Sequence, residues 1–138
     1  MRAPLVITIA LIALAAPTMT RADTTTQGVY TDDQAAEGAK LYAGQCAMCH
    51  GKRLEGTLEN PALSGGRFLG NWSHGSVAAL ADYIHRAMPQ MAPGTLTPEN
   101  SARVVAYLLQ QNGMPAGKAA LPSDPAALAK IPIGPIKP

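Results

Sequence analysis

Aromatic side chains are scarce in this chain: one Phe, one Trp and four Tyr among 138 residues. They stand at Tyr30, Tyr42, Phe68, Trp72, Tyr83 and Tyr107, a thin supply for the core of a domain this size. Cysteine is scarcer still, with two residues, which excludes a four-cysteine zinc site. Charge is low and balanced. The chain has 11 Lys and Arg against 9 Asp and Glu, but Arg2 and Arg21 fall within residues 1–22, which hold no acid. From Asp23 onwards the formal charge is therefore zero. No long run of like charge exists, so neither nucleic acid nor an anionic membrane surface is indicated as a partner. Beyond the first residues no apolar stretch is long enough to span a bilayer. Nothing alternates like a strand for more than a few residues.

What is present is concentrated at Cys46-Ala47-Met48-Cys49-His50, a C-x-x-C-H that uses both cysteines. In that spacing two thiols can add to the two vinyl groups of one haem, and the adjacent His50 is held under the iron as a nitrogen ligand. Two other readings exist. A thioredoxin-like redox pair wants a βαβ context, which the sequence does not offer. Half of a zinc site wants two further ligands at matching spacing, and no cysteines remain to supply them. A buried porphyrin would make good the shortage of aromatics, and the haem-free chain is expected to fold poorly.

The first residues agree with that motif. Arg2 forms a short positive region, Leu5–Ala16 an apolar one, and Thr20-Arg21-Ala22 a cleavage site with small residues at its −3 and −1 positions. Residues 1–22 therefore read as a cleaved secretory signal; an uncleaved N-terminal anchor is the alternative. Haem is joined to C-x-x-C-H chains after export, so signal and motif predict one place, the periplasm or its equivalent. No transmembrane segment is expected in the mature chain.

The remainder is long enough for one domain, and an all-α one, with three main helices. The first runs from Asp32 to about Gln45, with Thr31 as N-cap, Gln34 completing a capping box, and Asp32 and Asp33 in the first turn. Gly38 and Tyr42 share a face of it, and a glycine inside a helix costs stability unless something packs closely against it. The second runs from Ser76 to Ala87 or Met88 and is stopped by Pro89; Val77, Leu80, Ala81, Ile84 and Met88 form its apolar stripe. The third has Thr97 as N-cap and Pro98 at its first position, and ends near Asn112 with Gly113 beyond. Gly/Pro-rich loops, Gly51–Gly75 and Pro89–Leu96, lie between. Residues 118–138 form a Pro-rich tail, read as an extended strap or a mobile end, with a turn allowed at Pro125–Lys130.

These residues resemble the class I cytochromes c, small and mono-haem. Helix, C-x-x-C-H, P-x-L-x-G (Pro61-Ala62-Leu63-Ser64-Gly65), a methionine-bearing loop and a last helix with an Ala-Tyr-Leu core follow in that family's order. The likeness covers roughly Asp32 to Gly117, inside a domain drawn at 23–117. Met88–Gly94 and Asn112–Gly117 are similar to segments of the cytochromes that stand beside periplasmic quinoprotein dehydrogenases. The resemblance implies a cytochrome c fold wrapped around one haem c, covalent through Cys46 and Cys49. It implies that the first and last helices cross at Gly38 and Tyr107. It also implies that the Pro61 carbonyl accepts the Nδ1–H of His50, fixing its tautomer, and that the Trp72 indole bonds a propionate. Pro61 as a mere turn residue and Trp72 as a core aromatic are the plainer readings.

The second axial ligand sets the chemistry. Met88 matches the resemblance, in a loop stiffened by Pro89 and Pro93-Gly94. Met91, in the same loop, is the rival; His85 would give bis-histidine ligation; His74 and Met114 read as surface and packing residues. Histidine/methionine ligation by His50 and Met88 raises the reduction potential and leaves no open coordination position. The expected function is a one-electron carrier rather than an enzyme. A periplasmic dehydrogenase would donate, and a cytochrome or terminal oxidase would accept, through transient contacts of small area. A tightly bound haem subunit of a dehydrogenase, or a gas-binding or peroxidase-like protein with an open sixth position, are the alternatives.

Overall fold

Residues 24–134 are described by the structure, a computed structural model; the expected signal segment, 1–22, lies outside them. Each long helix begins where a hydroxyl cap meets extended backbone. Thr31, Ser76 and Thr97 all sit near ψ 160°, and their side chains accept the N–H three residues on, which satisfies one of the donors a helix start leaves orphaned. Helix α1 spans Asp32–Gln45 and α2 is the single turn Ala47–His50. Helix α3 spans Gly65–Trp72, α4 Val77–Ala87, α5 Pro98–Gln111 and α6 Pro125–Leu128. One 3-10 turn, Thr25–Gln27, precedes them. Among the described residues no strand forms, only an isolated bridge between Ser76 and Pro132. The protein is all-α, as expected.

The centre of the fold is the crossing of α1 and α5. A Cβ on Gly38 would overlap the Arg103 carbonyl oxygen and press on the Tyr107 Cβ. The missing side chain is what lets the two backbones meet. Around the crossing, the Tyr42 and Tyr107 rings lie 5.3 Å apart at 49°, within the range of favourable tilted pairs. Arg103 reaches Glu37 at 2.7 Å; both are exposed, so the pair adds little. On the other face of α5, Val104, Val105, Leu108 and Leu109 pack against Leu80 and Ile84 of α4 and their neighbours in one continuous core.

Three sequence expectations need correction. The stretch Gly51–Gly75 is not all loop, because α3 occupies its second half. Gly65, Gly66 and Gly70 hide this helix, yet Phe68 is buried and Leu69 and Trp72 are half-buried on one side. The stripe outweighs the glycine cost once a core is there to receive it. Ser76 caps α4 rather than beginning it. Lastly, Thr31 takes the Gln34 N–H at 3.2 Å, but the Gln34 side chain does not return to Thr31. Its amide instead pairs with the backbone of Leu121, donating to the carbonyl at 2.8 Å and accepting the N–H at 2.7 Å. Two matched bonds replace the one that a capping box offers.

Those bonds fasten the tail. Residues 118–134 are a strap over the helices. Leu121, Leu128 and Ile133 are buried in the common core. Ile131 and Gly75 carbonyls accept the N–H groups of Val77 and Ile133, and the Thr25 hydroxyl accepts that of Gly134. The turn expected at Pro125–Lys130 is α6, capped by Asp124 at 2.7 Å.

Candidate haem-attachment site

The C-x-x-C-H segment is the continuation of α1. Cys46 closes α1 by donating to the Tyr42 carbonyl, and its own carbonyl accepts from Cys49 and His50 at 3.1 and 2.9 Å. One turn of helix therefore sets the spacing of the two thiols and the imidazole. Cys46 is half-buried, Cys49 exposed, and both are free. Burial, with Cys49 beside it, pushes the Cys46 thiol up to about 11, so at neutral pH it stays protonated and slow to oxidise. Met48, between them, is 81% exposed.

His50 is buried, and its Nδ1–H donates to the Pro61 carbonyl at 2.8 Å. That bond leaves Nε2 as the nitrogen with a free lone pair. The loop between them is tightly laced. The Gly56 N–H reaches the His50 carbonyl at 2.8 Å and the Leu63 N–H reaches that of Leu54 at 2.9 Å. Leu54 is buried with φ at 61°, a conformation bulky residues rarely adopt; the surrounding bonds hold it there. The Tyr42 hydroxyl donates to the Gly51 carbonyl at 2.7 Å, and burial holds its proton well above the ordinary tyrosine range.

Sequence reasoning missed Asn112. It caps α5 and is buried, with both N–H groups of its amide and its oxygen hydrogen-bonded. Its oxygen accepts the Gly65 N–H at 2.9 Å; its nitrogen donates to Leu63 at 3.0 Å and Leu108 at 2.8 Å. Asn112 thus pins Pro61–Gly65, the segment that carries the His50 acceptor, to the end of α5. The sequence marked it as a helix end and as the first residue of the Asn112–Gly117 segment, and neither signal points to Leu63 or Gly65.

The other expected residues separate by exposure. Met88 ends α4 in an extended conformation, half-buried against the core. Met91 is 85% exposed. Met114 is buried and His74 exposed. The His85 Nδ1–H donates to the Leu96 carbonyl at 2.6 Å. Trp72 ends α3, its ring 5.7 Å from that of Tyr83, with no protein acceptor for its indole N–H among the described hydrogen bonds. A hollow of about 360 Å³ between α4, α5 and the strap is lined by His85, Ser101 and Leu128 but by none of Cys46, Cys49, His50 or Met88.

The donor set fits a haem c. Two free thiols lie one turn apart, and beside them is an imidazole whose tautomer is fixed with Nε2 available. With an all-helical fold built on the α1–α5 crossing, this defines a class I c-type cytochrome. Residues 33–108, from α1 into α5, match the family described as cytochrome c oxidase, cbb3-type, subunit III, and the chain belongs to it. It is 34% identical over 86 residues to the cbb3-type cytochrome c oxidase subunit CcoP of Rubrivivax gelatinosus. That match takes in 61% of this chain and 28% of the relative. Among solved structures it resembles the sulfane dehydrogenase SoxCD of Paracoccus pantotrophus, with a TM-score of 0.52 and 25% identity, over 65% of this chain and 54% of the other. The chain thus spans well under two thirds of the length of either. Haem-based electron transfer is the activity such a domain implies.

Proposed function

We propose that this protein carries single electrons in the periplasm, on one haem c with His50 and Met88 as axial ligands. The observation that carries the reading is the His50–Pro61 hydrogen bond at 2.8 Å. It presents Nε2 to the haem side and raises the basicity of the imidazole. Cys46 and Cys49 are the thioether anchors. A haem bound there supplies a one-electron ferric/ferrous couple. Met88 completes the coordination from a half-buried position, while Met91 points its exposure to solvent; this supports Met88 as the ligand. A thioether favours the ferrous state and raises the potential relative to a second histidine. With both axial positions held by the chain there is no place for substrate, so the protein is a relay and not an enzyme. The Trp72 indole N–H is an available donor for a propionate. No helix of the described residues is long and apolar enough to cross a membrane.

A second reading has its own support. Both relatives are named as parts of oxidoreductases, an oxidase subunit and a dehydrogenase. This chain can serve as the haem subunit of such a complex, taking electrons from a periplasmic dehydrogenase and passing them towards a cytochrome or terminal oxidase.

The test of the ligand set is the weak sulfur-to-ferric band at the red edge of the oxidised spectrum. Met88→Ala should abolish it and Met91→Ala should keep it. The reverse pattern would move the ligand to Met91.

A further inference from the structure

The loop that carries Met88 has a lock at its neck. It leaves α4 at Met88 and re-enters the core at Leu96, which is buried, immediately before the Thr97 cap of α5. Inside the loop the ties are few: the Ala92 N–H to the Pro89 carbonyl at 2.9 Å and the Thr95 hydroxyl to the Ala92 carbonyl at 2.7 Å. Neither joins the two ends. One side-chain hydrogen bond does. His85, one helical turn before Met88, donates from Nδ1 to the Leu96 carbonyl at 2.6 Å.

The geometry points to His85 as the positioning residue that keeps Met88 on the iron, by closing the neck of the Met88–Leu96 loop. The inference rests on His50/Met88 ligation as proposed above. A thioether is a weak ligand, so its occupancy depends on how little freedom the chain gains when the bond breaks. Pro89 and Pro93 stiffen the loop from within, but only a tie across its ends couples Met88 to the buried Leu96 anchor. The assignment also gives His85 a task other than ligation. Its Nδ1 is taken by Leu96, and its ring lines the hollow shared with Ser101, Ser123 and Leu128.

The experiment compares holoprotein of wild type, His85→Phe and His85→Gln by the ferric red-edge band and by carbon monoxide uptake in the ferrous state. Gln keeps an N–H donor; Phe fills the space without one. Loss of one hydrogen bond should raise the methionine-off population roughly tenfold. The inference expects a weaker band and at least about tenfold faster carbon monoxide uptake in His85→Phe, with both largely restored in His85→Gln. If His85→Phe yields no holoprotein, His85→Ala is read against His85→Gln in the same way. A lower melting temperature with band and uptake unchanged overturns the lock and leaves the ligand reading standing. A wild type without the band, together with a high-spin His85→Phe, overturns both and makes His85 itself the ligand.

Discussion

At the residue scale the site is two short clusters joined by one amide. Cys46, Cys49 and His50 are neighbours in sequence, and their chemistry could be read there because a single turn of helix sets their spacing. Pro61 is eleven residues from His50, and only its family resemblance marked it as an acceptor. Asn112 was invisible, since its partners Leu63 and Gly65 lie 49 and 47 residues away and no local rule connects them. Its removal is informative for that reason. Asn112→Ala leaves the Gly65 N–H and the Leu63 carbonyl without partners, at a cost of about 1–3 kcal/mol. It also frees the Pro61 segment, so the reduction potential should move as well as the melting temperature. Asn112→Asp, which keeps the acceptor for Gly65, should recover part of the loss. A potential unchanged in Asn112→Ala would show that Pro61 needs no such support.

At the scale of elements, caps and stripes located α1, α4 and α5, because hydroxyl caps and 3.6-residue apolar spacing act locally. They failed at α3, and at the strap they allowed an extended course and the Pro125–Lys130 turn but left a mobile end equally open. Glycines diluted the α3 stripe of Phe68, Leu69 and Trp72, and the prolines of the strap did not show what holds it down. What fixes the strap is remote: Gln34, Gly75, Val77 and Thr25 supply partners for backbone groups that no strand or helix pairs. The crossing of α1 and α5 is the element-level claim most open to challenge. Gly38→Ala forces a methyl against the Arg103 backbone, which cannot give way as a side chain could. The helices must part, at about 1–3 kcal/mol or more, and thermal unfolding should show it. A neutral Gly38→Ala would mean that the helices do not meet there.

For the whole molecule, the buried side chains of the helices and of the strap form one core. The family match ends at residue 108, but the core does not, since Leu121, Leu128 and Ile133 complete it. Three tyrosines report on that core. Burial raises Tyr30, Tyr42 and Tyr107 above their ordinary value of 10.0. A raised folded value means that the unfolded chain loses its protons first. The stabilisation is therefore whole below pH 10 and is lost as pH rises from there through the folded values. The melting temperature of the ferrous protein should be flat from neutral pH to about 9 and fall beyond 10. Tyr42→Phe should start lower, without the Gly51 hydrogen bond, and fall less steeply. A wild-type curve level through pH 11 would contradict the burial of these hydroxyls.

The central claim is a closed coordination sphere that moves one electron. A spectroelectrochemical titration of the holoprotein, repeated under carbon monoxide, tests it most directly. The account predicts a single one-electron step, the red-edge sulfur band in the ferric form, and in the ferrous form carbon monoxide uptake no faster than slow dissociation of the methionine allows. A high-spin protein that binds carbon monoxide at once would contradict it and make this a gas-binding or peroxidase-like haem protein.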